Sequence, residues 1–338
     1  MMGRMSGRRL NALWILALAV SLVSGACGGD SPAGPSPPPG PQLSVVCPLA
    51  QSGVSFQNQP ATISWPAPTT QGGTAPVQTS CTPASGAAFL PGVTAVSCTA
   101  TDSANQAASC AFTVTVTRPP QISVTRFMAF GDSITWGTAS PPAGFLAYPI
   151  PAPSYSYPTQ LLSLLGARYP DQAITIANEG WPAEAIADGL NRLPSALAFN
   201  SPEVLLLLDG ANDLLGNPSS AATLYIASKL RDMVRTAKAR MPAIKVLLAT
   251  FPPQYHGTIP YDRGAGAEFV PGLNQLIAGV AQSEGATLVD LYAAFPVGGK
   301  PYIGVDGLHP TEQGFTLMAQ TFGKIIQEKF EAKATAGR

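Results

Sequence analysis

Four short polar clusters carry residue types suited to nucleophilic chemistry: Gly131-Asp132-Ser133, NEGWPA at 178–183, DGANDL at 209–214, and DGLHP at 306–310. A serine hydroxyl is a weak nucleophile until a base takes its proton. His309 supplies that base, because a neutral imidazole near pH 7 can accept a proton and later return it. Asp306, three residues earlier, can fold its carboxylate back to the other ring nitrogen, fixing the tautomer and stabilising the imidazolium. The Ser133 backbone N–H and the Asn212 side-chain N–H can meet a developing oxyanion, with the Ser133 hydroxyl expected to stay exposed. Taken singly, Gly-Asp-Ser is an ordinary turn, Asn-Asp an ordinary cap, and Asp-x-x-His a common coincidence. It is their joint occurrence, in order along the chain, that points to chemistry. Asp132 and Asp213 read as structural carboxylates that bond loop amides, and His256 as a surface histidine. No GxSxG surrounds Ser133, which argues against the α/β-hydrolase form of a serine triad.

These clusters need a scaffold that brings them together, and the pattern around them supplies one. Apolar runs at 125–130, 173–178, 203–210, 245–250 and 286–292 are short and nearly continuous, as strands buried on both faces must be. Helical stretches at 157–168, 184–197, 221–239, 266–284 and 311–331 separate or follow them, the last opened by Pro310 and Thr311. Repeated βα units predict a parallel sheet covered by helices on both faces, with chemistry gathered at the carboxyl ends of the strands. The clusters follow the first, second, third and fifth runs. An insertion at 138–158 brings Phe145, Tyr148, Tyr155 and Tyr157 among prolines. With Trp181 and Tyr255, Tyr148 and Tyr155 are candidates for a substrate wall; the insertion's aromatics serve equally well to pin a long loop to the core.

Composition restricts the partners. The 338 residues hold 19 Lys plus Arg against 19 Asp plus Glu, so no basic surplus exists to neutralise phosphates and nucleic acid is not an expected partner. Two histidines and no CxxC or HExxH pattern argue against a protein-built zinc site, and neither metal nor cofactor is expected. Arg4, Arg8 and Arg9 precede an apolar run from Leu10 to Val23 and the small residues Ser24, Gly25 and Ala26, the layout of a signal peptide over 1–26. Cys27 directly after it is the position lipidated in bacterial lipoproteins, although Ser24 stands where such signals usually carry Leu. Residues 27–42 are a Gly/Pro-rich linker that favours extended chain. The expected location is therefore outside the cytoplasm: lipid-anchored at a bacterial membrane or cell surface, otherwise periplasmic or secreted.

All five cysteines lie in the first third. Short β-rich runs at 43–46, 61–65, 93–101 and 110–116, separated by turn residues, predict a small all-β sandwich over 43–118. Cys47, Cys81, Cys98 and Cys110 imply two disulfides, with three connectivities open. Trp65 reads as a core tryptophan beside a disulfide, in preference to a glycan platform.

Two families share these patterns. Cys47-Pro48, Trp65-Pro66, Gly72-Gly73, the stretches 80–89 and 91–116 and the four cysteine positions resemble a hyalin-repeat (HYR) module, an Ig-like sandwich that implies spacing, adhesion, or cell-surface or glycan contact rather than chemistry. Residues 124–330 resemble the SGNH (GDSL) hydrolases through the four clusters in their family order. That resemblance implies a three-layer α/β/α flavodoxin-like fold and a serine esterase acting through Ser133, His309 and Asp306. Its oxyanion donors would be Ser133, Asn212 and Ala183, the last standing where the family has glycine, with Gly180 the alternative through a shifted loop. The expected substrates are small carboxylic esters, on an acetylated carbohydrate or as short-chain acyl or lipid esters. Acyl transfer would use the same residues. The competing reading is a surface adhesin or glycan-binding protein with a degenerate hydrolase domain.

Overall fold

The computed structural model describes residues 40–57, 59–140, 150–151, 153–258 and 262–332. The expected signal peptide, Cys27, most of the linker, and Phe145 and Tyr148 lie outside the described residues.

The first third is all-β. Strands β1 (Ser44–Val46), β2 (Gln51–Val54), β3 (Ala61–Ile63), β4 (Thr69–Gln71), β5 (Gln78–Thr82), β6 (Ala87–Phe89), β7 (Gly92–Thr101) and β8 (Ala107–Thr117) form a four-stranded sheet in the order β2-β8-β7-β5 and the pairs β1-β4 and β3-β6. The sequence patterns picked out β1, β3, β7 and β8; the other four are three to five residues long and too short to show an alternation. The core is thin, with Trp65 set against Phe112 (5.2 Å between ring centroids) and Phe89 (6.0 Å). Two disulfides, Cys47–Cys110 and Cys81–Cys98, flank it and resolve the connectivity. A unit this small buries too little apolar surface to dispense with such cross-links.

The rest is a parallel α/β unit. Strands β9 (Arg126–Gly131), β12 (Thr175–Gly180), β13 (Val204–Leu208), β14 (Lys245–Ala249) and β15 (Thr287–Val289) form one five-stranded sheet in the order β12-β9-β13-β14-β15, every neighbouring pair parallel. A short antiparallel pair, β10 (Thr138–Ala139) and β11 (Ile150–Pro151), lies outside it. The helices are α1 (Ser133–Trp136), α2 (Tyr157–Arg168), α3 (Ile186–Asn200), α4 (Ala211–Gly216), α5 (Ser220–Arg240), α6 (Val270–Glu284), α7 (Leu291–Ala294) and α8 (Glu312–Phe330). Helix α2 packs on α8, while α3 packs on α5 and α5 on α6. Right-handed crossovers place these two groups on opposite faces of the sheet. All five residues of β13 are buried, as its central place between two helix layers requires.

From β9 the chain crosses to β12 on one side and returns over the sheet to β13 on the other. The loops after β9 and β13 therefore part in opposite directions, leaving a crevice at their carboxyl ends. Two expectations shift in detail. The Asn178-Glu179-Gly180 triplet ends strand β12 instead of following it, because Gly180 still pairs with Gly131. Helix α3 begins at Ile186, two residues later than predicted, because Trp181 to Ala185 make a turn first.

Candidate active site

Ser133 begins α1 at the carboxyl end of β9. Asp132 sets that geometry: its Oδ1 accepts from the Ile134 N–H (3.0 Å), capping α1, and its Oδ2 accepts from the Ala211 N–H (2.9 Å), tying the loop after β13 to the loop after β9. Asp132 thus takes the structural place expected of it. So does Asp213, whose Oδ2 accepts from the Ile186 N–H (2.8 Å) at the start of α3.

His309 arrives from the far end of the chain on a tight loop. Ile303 and Pro310 bridge across that loop, and the Gly304 N–H donates to the His309 carbonyl (2.9 Å). At its tip Gly307 has φ +80°, and a Cβ there would lie 1.8 Å from the Tyr255 carbonyl oxygen. Glycine is needed on both counts, for the left-handed backbone and for the close approach. Asp306 Oδ1 accepts from the N–H groups of Leu308 (3.1 Å) and His309 (3.0 Å), while Oδ2 lies 2.6 Å from His309 Nδ1. A carboxylate only accepts, so Nδ1 carries the proton and Nε2 presents a lone pair. That lone pair faces Ser133 Oγ at 2.9 Å. The Asp306 carboxyl sits below the usual carboxylate range: burial pushes it up, but the His309 hydrogen bond and charge, with the two N–H donors, outweigh it. The arrangement can move a proton from Ser133 to His309 and hold the resulting imidazolium.

One expectation is corrected here. Ser133 is 5% exposed and His309 3%, so the hydroxyl is not open to solvent; the imidazole occupies the space beside it.

The turn after β12 leaves the two candidate backbone N–H groups in different states. The Gly180 N–H is already bonded to Asn178 Oδ1 (2.9 Å), and the Gly180 Cα lies against the Trp136 backbone, where a Cβ would come within 2.1 Å. Asn178 Nδ2 donates to the Trp136 carbonyl (3.3 Å), fastening β12 to α1. Ala183, in contrast, is exposed with φ +63°, and its N–H has no protein acceptor among the described residues. Asn212 Nδ2 donates to the Glu184 carbonyl (3.0 Å), so the side chain after β13 is fixed against this turn.

The wall candidates scatter. Trp181 is 58% exposed in the turn beside Ala183. Tyr255 bonds the carbonyls of Ile303 and Gly304 through its hydroxyl, lies under Lys300, and lines a cavity of about 500 Å³ with Ser140 and Val305, on the Asp306 side of the site. Tyr155 stands 47% exposed before α2, in a short turn that packs against α2 and α8, and its carbonyl accepts from Gln160. Tyr157 is core, fully buried and stacked on Phe322. His256 is exposed, with Nδ1 2.6 Å from Asp262; that hydrogen bond and charge hold its pKa above the ordinary histidine value.

Two ionisable side chains had no role assigned from the sequence. Asp209, at the end of β13, is fully buried; one oxygen accepts from the Gly210 N–H (2.8 Å) and the other has no partner. Burial, then the charges of Asp132 and Glu184, holds it well above the usual carboxylate range. Arg192 on α3 bonds Glu184 and Glu179. Its signal was available in the sequence: it stands three residues after Gly189 and four before Ala196 on the helix's buried stripe, where a charge requires a partner.

Residues 129–317 match the GDSL-like Lipase/Acylhydrolase family, and residues 38–116 match the HYR domain. The first match spans more than half of the chain, which belongs to the GDSL-like lipase/acylhydrolase family and is a carboxylic ester hydrolase. Esterase TesA of Pseudomonas aeruginosa is 25% identical over 151 residues, 44% of this chain and 69% of its own length. Similar solved structures include a lipase/acylhydrolase from Enterococcus faecalis (22% identical, TM-score 0.49, covering 62% of this chain and 100% of that one). A carbohydrate acetylesterase from Sinorhizobium meliloti (22%, TM-score 0.49) and an aryl esterase from M. smegmatis (24%, TM-score 0.49) each cover 60% of this chain and 99% of their own.

Proposed function

We propose that this hydrolase is an exported serine esterase that cleaves small carboxylic esters through an acyl-Ser133 intermediate. The observation that carries the reading is the Ser133 Oγ to His309 Nε2 distance of 2.9 Å, with His309 Nδ1 held 2.6 Å from Asp306. Ser133 Oγ attacks the ester carbonyl carbon as its proton passes to His309 Nε2. The oxyanion is met by the N–H groups of Ser133 and Ala183 and by Asn212 Nδ2. Collapse breaks the bond to the alcohol, which leaves with the proton from His309. Water then attacks acyl-Ser133, giving its proton to His309, and the free acid departs as Ser133 is reprotonated.

The proposed substrates are small acyl esters, such as acetyl on a carbohydrate or a short-chain acyl or lipid ester. Two disulfides in the first unit fit an oxidising compartment, in line with a signal peptide over 1–26 and a lipid anchor at Cys27. The HYR module would then space the enzyme from a membrane or contact a cell surface or glycan.

The test is labelling with a fluorophosphonate probe followed by peptide mapping, alongside turnover of p-nitrophenyl acetate. Modification confined to Ser133, and loss of both label and turnover in Ser133→Ala, is expected. Full turnover by Ser133→Ala would refute the reading; folded parent protein without label or turnover would favour the glycan-binding alternative.

A further inference from the structure

The turn from Trp181 to Glu184 has little to hold it in itself. It is closed by one backbone hydrogen bond, Glu184 N–H to the Trp181 carbonyl (3.2 Å), and it carries Ala183 at φ +63°, a region that disfavours an L-residue with a Cβ. Its first residue is held from β9, the Trp181 N–H donating to the Gly131 carbonyl (2.8 Å), and the Glu184 carbonyl by Asn212; its ionic side-chain anchor is Arg192. Its Nε and Nη2 donate to the two Glu184 oxygens, both at 2.8 Å, in a fork-to-fork pair. Nη1 donates to Glu179 Oε2 (3.1 Å) and Nη2 to the Glu179 carbonyl (3.1 Å), which ties the same guanidinium to the end of β12. The guanidinium carbon lies 4.2 Å from the Phe130 ring centroid and 5.0 Å from that of Trp181. The Arg192 and Glu184 side chains are only 15% and 6% exposed, so the pair is little screened by water.

Glu184 joins two donors. Its backbone follows Ala183 directly, and its carbonyl oxygen accepts from Asn212 Nδ2. A shift of Glu184 therefore moves the Ala183 N–H and releases the Asn212 amide together. We propose that Arg192 is a positioning residue for the oxyanion site, acting through Glu184 on both Ala183 and Asn212. It touches neither Ser133 nor substrate. The inference rests on the proposed acyl-Ser133 chemistry, since the donors matter only if an oxyanion forms there.

Arg192→Met removes the grip; Arg192→Lys keeps the charge but cannot make the planar fork. Each is expected to lower kcat for p-nitrophenyl acetate by about tenfold to a hundredfold, with KM within about twofold of the parent. The pH profile of kcat/KM should stay in place, because Asp306 and His309 are untouched. In an Asn212→Ala background, Arg192→Met should cost only about a few-fold more, since one of its two targets is already gone. Circular dichroism and thermal melting establish folding; if Arg192→Met does not fold, Arg192→Lys and Glu184→Gln carry the same comparison. Losses that simply multiply with Asn212→Ala, a displaced pH profile, or kcat at parent level would each overturn the proposal. Failure here is separable from failure of the esterase reading: active Ser133→Ala refutes that reading, whereas inactive Ser133→Ala beside fully active Arg192 variants refutes only the role of Arg192.

Discussion

Ala183 has a left-handed backbone, φ +63°, a conformation that costs an L-residue roughly 1–2 kcal/mol. Glycine would remove that strain but lose about 0.5–1 kcal/mol more to chain entropy on folding. Ala183→Gly should therefore leave stability unchanged or raise it by up to about 1.5 kcal/mol, by urea unfolding. Because the proposed donor is a backbone N–H, kcat should stay within about twofold of the parent. A tenfold fall would mean that the methyl group, not the amide, is what the site uses. At this scale residue type alone pointed to Ser133, His309, Asp306 and Asn212, and the structure puts His309 within hydrogen-bond reach of both Ser133 and Asp306. The sequence said much less about Ala183 and Gly180, where the difference lies in which N–H is already spent on Asn178.

Strand β13 ends in a group that its own burial makes costly. Asp209 has no donor on one oxygen, and burial followed by the neighbouring carboxylates raises its folded-state pKa well above normal. A raised folded value means that its contribution to stability is fully present below the unfolded pKa of about 3.9 and is lost as pH rises through the folded one. Asp209→Asn keeps the shape and removes the titration. Relative to the parent, its stability should improve as pH rises above the unfolded carboxylate value in urea melts, and parallel curves would contradict the assignment. The five sheet strands and the five long helices of this unit were legible to within a few residues because buried parallel strands are short apolar runs and those helices show a 3.6-residue period, whereas the short α1, α4, α7 and the β10–β11 pair left no such pattern. The start of α3 was not legible either, since the turn that delays it depends on Glu184 meeting Arg192, eight residues away on the helix.

Across the whole molecule the cross-links and the chemistry are segregated. Both disulfides lie in the all-β unit, while Ser133, His309 and Asp306 belong to an α/β unit that contains no cysteine. The bridge Cys47–Cys110 closes a loop of sequence separation 63 and Cys81–Cys98 one of 17. Loop-closure entropy assigns them about 4 and about 3 kcal/mol of stabilisation. Reduction should accordingly lower the unfolding temperature of the first unit in calorimetry while p-nitrophenyl acetate turnover persists. Turnover lost in step with the disulfides would show that the two units are energetically coupled.

The sequence by itself determined the two-part organisation, the alternating βα pattern, the polar clusters that hold Ser133, Asn212, Asp306 and His309, and the presence of two disulfides, because each rests on residue type or on short-range periodicity. Tertiary structure decided the pairing of the cysteines, the choice of Ala183 over Gly180 as the amide left without a partner, the burial of Asp209, and the bond of Arg192 to Glu184 in the turn after β12. Each of these depends on which groups meet across the sheet's carboxyl edge or across strands far apart in the chain. Local pattern carries no record of such meetings; they follow from strand order and from the obligation of every buried polar group to find a partner.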